Sequence, residues 1–152
     1  MDTSINKDGV NTEMDLFETI RVGMNLKQID PINYSPLTLA YIGDAVYELI
    51  VRTIVVDESN KAVNKLHKES SNLVKADAQC RILHAIMDKL SEEEQRIYKR
   101  GRNAKSYTKA KNASYSDYRQ ATGFEALVGY LYICNRTERL MELIKGGIDS
   151  IR

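Results

Sequence analysis

Apolar residues recur along this chain at intervals of three and four positions, whereas the strict alternation that is typical of strands is scarce. One such run places Leu73, Ala76, Cys80, Leu83 and Met87 on one face of a helix. With the capping signals described next, this spacing predicts helices over residues 13–24, 36–56, 61–68, 73–90, 92–101, 117–134 and 138–146. The expected fold is therefore an all-α bundle of about six or seven helices.

Capping residues mark several of the predicted helix ends. Ser35 is suited to cap a helix that begins at Pro36, because proline has no N–H to leave unbonded in the first turn. Ser91 and Glu94 have the spacing of a capping box. The remaining signals are N-caps at Asn60 and Thr137 and a helix end at the pair Gly146–Gly147.

Two carboxylates lie on predicted helices that are otherwise almost entirely apolar. Asp44 follows Gly43 in a helix that we expect to be buried on most sides, and Glu125 is the only charged residue between positions 120 and 134. A buried carboxylate needs a partner or a metal ion, and acids on two facing core helices are able to hold a divalent cation. The alternative is that both are surface acids, or that Asp44 pairs with a basic residue. Gly43 indicates close approach by another element or by a ligand.

Positive charge is concentrated in one segment. The chain has a formal net charge of +1, from 22 Lys and Arg against 21 Asp and Glu. Residues 96–111 contain seven basic residues and no acid, so the rest of the chain has 15 basic and 21 acidic residues, a net of −6. This asymmetry favours a polyanionic partner such as nucleic acid. The alternative is a solvated loop without a binding role.

Composition and length are those of an ordinary globular protein. The 152 residues are 43% hydrophobic and 28% charged. Cys80 and Cys134 lie in apolar helical stretches, which predicts free thiols in a reducing compartment. The polar N-terminus has no signal-peptide core, and the most hydrophobic stretch, residues 37–56, contains three charges. We therefore expect a cytoplasmic protein with no membrane segment.

Four segments of the sequence resemble the ribonuclease III family. LAYIGDAV at residues 39–46 resembles the signature helix of the family, and FEALVG at 124–129 resembles its second catalytic helix. KRGRNAKS at 99–106 and LHKESS at 66–71 resemble the bacterial Mini branch more closely. The resemblance extends over residues 37–143. It divides the chain into an N-terminal extension, residues 1–22, and a catalytic domain, residues 23–152.

The resemblance implies a helical endonuclease domain that works as a homodimer. Members of the Mini branch lack the separate double-stranded-RNA-binding domain of larger relatives, and we expect that domain to be absent here as well. The implied activity is Mg²⁺-dependent hydrolysis of double-stranded RNA, in the maturation of large-subunit (23S) ribosomal RNA precursor. A ribosomal-protein helper is a further implied partner.

The resemblance also suggests roles for individual residues. Asp44 and Glu125 match two of the four acids in each active site of larger relatives, while Ala40 and Thr122 occupy the positions of the other two. Mg²⁺ would then be held by fewer direct ligands and more water. We place Thr122 and Glu48 near the metal, although Glu48 is also spaced for an ion pair with Arg52, the interpretation we favour. The predicted RNA contacts are Arg100, Arg102, Asn103, Lys105, Lys109 and Lys111.

Other interpretations remain open from the sequence. The loss of two acids allows a non-catalytic double-stranded-RNA-binding protein of the same fold, and carboxylates on helices also allow a nucleotide pyrophosphatase. His67 and His84 have no partner at ligand spacing, so we expect structural or exposed roles for them. The tyrosines are expected to pack in the core rather than to stack on bases, among them Tyr41, Tyr47, Tyr130 and Tyr132.

Overall fold

The computed structural model describes residues 15–27, 29–58, 60–105 and 114–152, and every regular element in these ranges is helical. Two short 3-10 helices, Pro31–Asn33 and Met87–Lys89, accompany seven α-helices. The α-helices are α1 (Leu16–Gly23), α2 (Pro36–Glu58), α3 (Val63–Val74), α4 (Ala76–Ile86), α5 (Glu92–Asn103), α6 (Tyr115–Ile133) and α7 (Thr137–Ile151). The all-α class is confirmed.

The chain forms two compact units, Met1–Asp30 and Pro31–Arg152. In the first unit, Asp15 caps α1 by accepting a hydrogen bond from the backbone N–H of Glu18 at 3.0 Å. The second unit contains α2 to α7. The domain boundary between residues 22 and 23 stays a prediction. Among the described residues, no helix combines the length and hydrophobicity needed to cross a bilayer.

Helix α6 is at the centre of the second unit, where it packs against α2, α4, α5 and α7. Helix α2 buries a single face, with Leu39, Gly43, Tyr47, Val51 and Val55 at intervals of four residues. The expectation that α2 is buried on most sides is therefore wrong. Residues beside this face, such as Val46 and Ile50, are partly buried, whereas four apolar residues on the remaining surface are exposed: Leu37, Tyr41, Leu49 and Val56.

The region between α2 and α5 differs from its prediction. One continuous helix was expected over residues 73–90, but the backbone at Lys75 is extended (φ −58°, ψ 152°) and separates α3 from α4. Asn60 is not the cap of α3, because the N-cap is Ala62, which makes no side-chain capping bond. The apolar spacing does not reveal the break at Lys75. One extended residue changes the direction of the chain, while the apolar residues on both sides of it still face the core.

The last helix was expected to stop at Gly146–Gly147, and this is wrong: α7 continues to Ile151. A Cβ added at Gly147 would lie 2.4 Å from Cγ2 of Ile82 on α4. Close packing between α4 and α7, rather than a helix end, therefore explains the glycine at position 147. Thr137 is the first helical residue, and the N-cap is Arg136, without a side-chain capping bond.

Two predicted caps are confirmed. The backbone N–H of Thr38 donates to Oγ of Ser35 at 3.1 Å, at the start of α2. Ser91 and Glu94 form the complete capping box of α5, with bonds of 2.8 and 3.1 Å. Glu94 is fully buried and also binds the guanidinium of Arg139 on α7 at 2.8 Å, so the start of α5 is fixed to α7.

Candidate active site

The backbones of α2 and α6 are in direct contact at two glycines. A Cβ added at Gly43 would lie 1.7 Å from the carbonyl oxygen of Glu125, and one added at Gly129 would lie 2.0 Å from the carbonyl oxygen of Leu39. No side chain fits between the helices at either point. The close approach that Gly43 indicated in the sequence is thus an approach by α6.

This contact brings Asp44 near enough to Glu125 for its charge to act on that carboxyl. Glu125 is half-buried and Asp44 is exposed. Burial, and then the nearby charge of Asp44, raises the pKa of Glu125 to about 8. Partial burial, followed by the charge of Glu48, also raises the pKa of Asp44. In the described part of the chain, no basic side chain forms an ion pair with Asp44 or Glu125.

The remaining residues predicted near the metal are engaged within their own helices. Glu48 accepts a hydrogen bond from Nε of Arg52 at 2.9 Å, so the predicted ion pair is present. The hydroxyl of Thr122 donates to the carbonyl oxygen of Tyr118 at 2.9 Å. Ala40 is buried in the α2 face that packs on the core. Within residues 15–27, 29–58, 60–105 and 114–152, no group of three or more His, Cys, Asp or Glu side chains is arranged around a metal site.

Gln79 on α4 belongs to this region, and sequence reasoning missed it. Its side chain is 3% exposed, and Nε2 donates to the carbonyl oxygen of Val74 at 2.7 Å. A hydrogen bond from Gln79 to the carboxylate of Glu125 acts on the pKa of Glu125 in the lowering direction, against the larger effect of burial. The signal in the sequence was the helical spacing of this uncharged polar residue to Leu83 and Ile86, four and seven positions later, which places it on the buried face of α4.

The basic segment begins at the C-terminal end of α5. Arg100, Arg102 and Asn103 lie in the last turn of the helix, and Lys105 follows as an exposed residue. Two predicted RNA contacts, Lys109 and Lys111, fall outside the described residues. The positions of the first four are consistent with a positively charged surface, and their role as RNA contacts stays a prediction.

Arg119 on α6 is a second residue that the sequence analysis missed. Its Nε donates to the carbonyl oxygen of Arg102 at 2.9 Å, and its Nη2 donates to Oδ1 of Asn103 at 3.0 Å. These bonds attach the C-terminal turn of α5 to α6. They also occupy the side-chain oxygen of Asn103, which limits its use as an acceptor for a 2′-hydroxyl. The signal of Arg119 in the sequence was weak, since it is a single arginine near the polar start of α6.

The histidines and tyrosines give a mixed result. His67 and His84 are exposed, and Nε2 of His84 is 2.7 Å from Oε1 of Gln120. Tyr47 is fully buried and donates its hydroxyl to the carbonyl oxygen of Leu73 at 2.6 Å, as core packing requires. The expectation of core packing is wrong for Tyr41, which is 81% exposed because it lies on the outer face of α2.

Comparison with known proteins identifies the family. The model of the ribonuclease III domain matches residues 37–136. Mini-ribonuclease 3 of Clostridium tetani is 51% identical over 125 residues, which cover 82% of this chain and 83% of that protein. Mini-ribonuclease 3 of Symbiobacterium thermophilum is 44% identical, with 83% and 97% covered. A crystal structure of a Fusobacterium nucleatum protein superimposes with a TM-score of 0.71 at 30% identity, covering 79% of this chain and 96% of that one.

The helical fold and the matched domain define an endoribonuclease of a metal-dependent class. The chain belongs to the ribonuclease III family, in its Mini-ribonuclease III branch. The resemblance drawn from the four motifs is confirmed, and a purely non-catalytic or pyrophosphatase interpretation is not supported.

Proposed function

We propose that the chain hydrolyses phosphodiester bonds of double-stranded RNA with Mg²⁺ held between Asp44 and Glu125. The observation that supports this most is the pair of carboxylates on α2 and α6: the charge of exposed Asp44 acts on half-buried Glu125, and neither has a basic partner in the described chain. Like charges at short range disfavour ionisation of both groups, whereas a divalent cation between them reverses that effect.

The donor set fits a magnesium ion that keeps most of its water. Carboxylate oxygens are the ligands that Mg²⁺ prefers, and one or two of them are usual where substrate phosphate completes the site. When bound, the ion lowers the pKa of a coordinated water and neutralises charge on the phosphoryl oxygens. Asp44 and Glu125 would supply direct ligands, while Glu48 stays with Arg52 and adds negative charge to the surroundings of Asp44.

The basic end of α5 is the proposed grip on the RNA backbone. Arg100, Arg102 and Lys105 lie at or beyond the last turn of the helix, where positive charge also complements the helix dipole. A-form RNA presents phosphates and 2′-hydroxyls rather than readable base edges, so these contacts would recognise shape rather than sequence. Lys109, Lys111 and Asn103 complete the proposed set.

We also propose that the protein works as a homodimer on ribosomal RNA precursor in the cytoplasm, where cysteine side chains stay reduced. Two sites related by a twofold axis match the two strands of a duplex. The exposed apolar residues of α2, Leu37, Tyr41, Leu49 and Val56, offer the interface. A 23S precursor is the proposed substrate, and a ribosomal-protein helper is a proposed additional partner.

The test is cleavage of a plain RNA duplex in Mg²⁺ by wild type and two matched variants. We expect Asp44→Asn and Glu125→Gln each to abolish cleavage while duplex binding and the helical circular dichroism spectrum stay unchanged. Asp57→Asn, an exposed acid farther along α2, is the control and should cut at the wild-type rate. Cleavage by either site variant at a near wild-type rate would contradict the assignment.

A further inference from the structure

Gln79 is a buried polar side chain whose carbonyl oxygen has no hydrogen-bond donor among the described residues. The side chain is 3% exposed and lies on α4, which packs against α6 beside Glu125. A buried acceptor without a donor costs free energy comparable to a lost hydrogen bond, so such groups are rare in folded proteins. The unpaired side-chain oxygen of Gln79 therefore points to a function for this residue.

The orientation of the Gln79 amide is fixed by its neighbour. The carbonyl oxygen of Val74, 2.7 Å away, is an acceptor only, so the nitrogen and not the oxygen of the amide must face it. The nitrogen then has a second N–H, which lies within hydrogen-bonding reach of the Glu125 carboxylate. The oxygen then remains as a buried acceptor without a hydrogen-bond donor among the described residues.

We propose that Gln79 is a positioning residue of the metal site: its second N–H holds the carboxylate of Glu125 in one orientation, and its oxygen accepts a hydrogen bond from a water molecule of the hydrated divalent cation. This inference rests on the proposed function. An amide suits this role, since an apolar side chain would leave Glu125 unsupported and a carboxylate would add a further negative charge.

Because the proposed metal site has only two acids, a residue that orients its ligands from outside, as Gln79 would, becomes more important. Alanine and threonine stand at positions 40 and 122, and no further acid completes a group of three in the described chain. Mg²⁺ held by two carboxylates retains several waters, and each needs an acceptor to be oriented. Groups that bind metal ligands from outside typically change metal affinity or activity by roughly 10–100-fold when mutated.

Gln95 provides a matched control within the same chain. Its Nε2 donates to the carbonyl oxygen of Leu90, five residues earlier, at 3.2 Å, which is the same local bond that Gln79 makes with Val74. Gln95 lies at the start of α5, next to the Glu94 capping box rather than beside the carboxylate pair. Replacement of either glutamine by Met removes the local bond and keeps the side-chain length.

The experiment measures Mn²⁺ binding to the full chain by calorimetry and the Mg²⁺ concentration that gives half-maximal cleavage of an RNA duplex. We expect Gln79→Met to bind Mn²⁺ at least tenfold more weakly than wild type and to need correspondingly more Mg²⁺, with an unchanged KM for RNA at saturating metal. Gln95→Met should match wild type in both measurements. Equal Mn²⁺ affinity in all three proteins would overturn the role of Gln79 and leave the proposed function intact.

Two further measurements keep the outcomes distinct. If Asp44→Asn binds Mn²⁺ as tightly as wild type, the proposed metal site itself is wrong, and the role of Gln79 fails with it. If Gln79→Met does not fold, the inference is tested instead by NMR, from the side-chain amide resonances of the wild-type protein. We expect Mg²⁺ to shift the signal of Gln79 but not that of Gln95, and an unshifted Gln79 signal would overturn the inference.

Discussion

Replacing Glu125 by Gln should stabilise the metal-free protein at high pH even though it abolishes the proposed activity. Burial is the main cause that raises the pKa of this carboxyl from its usual 4.5 to about 8, and the charge of Asp44 adds to it. The folded state therefore disfavours the ionised form, which is the form that a metal requires. The amide of glutamine has the same shape and is neutral at every pH.

The sign and size of the effect follow from proton linkage. Because the carboxyl keeps its proton to a higher pH in the folded state than in the unfolded state, folded protein binds more protons between pH 4.5 and 8. Stability falls as pH rises through that window, by about 1.4 kcal/mol for each pH unit. The variant should thus gain about 3 kcal/mol over wild type at pH 7 and about 5 kcal/mol above pH 8, and nothing at pH 4.

The assay is urea unfolding, followed by circular dichroism in EDTA at pH 4, 7 and 8.5. The contributions of all other titrating groups cancel in the difference between the unfolding free energies of Glu125→Gln and wild type. Asp57→Asn serves as the control and should show a small difference that does not grow with pH. Added Mg²⁺ should stabilise wild type and reduce the gap, since it binds only the folded protein. A gap that is equal at pH 4 and pH 8.5 would refute the reasoning.

Three further variants test the packing and charge of the fold. Gly43→Ala should cost about 3 kcal/mol or more, because its Cβ would lie 1.7 Å from a carbonyl oxygen of the facing helix, and differential scanning calorimetry should show a lower Tm, whereas Gly23→Ala, with open space, should not. Arg139→Met should cost about 3–5 kcal/mol in urea unfolding at pH 7, because it leaves buried Glu94 unpaired. This loss should shrink as pH falls from 4.5 toward 2, since the pKa of Glu94 is lowered to about 2 mainly by Arg139. Arg102→Glu should weaken duplex binding and reduce the slope of log K against log salt by about 1, measured by fluorescence anisotropy, and an unchanged slope would exclude a phosphate contact.

The parts of the fold that sequence reasoning predicted well are those set by local chemistry. The start of α2 at Ser35 and the capping box at Ser91 depend on residues three positions apart, so the pattern alone defines them. Asp44 and Glu125 could be selected because each is a carboxylate in a largely apolar helix and lies in a recognisable motif. That the two meet is harder to predict, since they lie 81 positions apart (125 − 44): the residues alone left a shared metal site and two surface acids as alternatives, and the resemblance favoured the shared site.

The errors arise where tertiary contacts override local signals. Glycines at positions 146 and 147 have the pattern of a helix end, but the side chain of Ile82 on a distant helix accounts for one of them. Tyr41 is apolar in pattern and exposed in the fold, because burial of α2 is limited to one face. Gln79 and Arg119 were missed because each acts across an inter-helix contact that periodicity does not reveal.

Both ends of α5 are tied to other helices, at the start by Arg139 of α7 and at the finish by Arg119 of α6. The arginines of α5 are consequently carried by one helix of 12 residues that is anchored at both ends, about 18 Å long at 1.5 Å per residue. Helix α5 loses its conformational freedom during folding, so binding of a polyanion to it would carry little further entropic cost of ordering the helix. Under the proposed function, the spacing between these positive charges is therefore set before RNA binds, and a duplex whose phosphates match that spacing would bind without bending the helix.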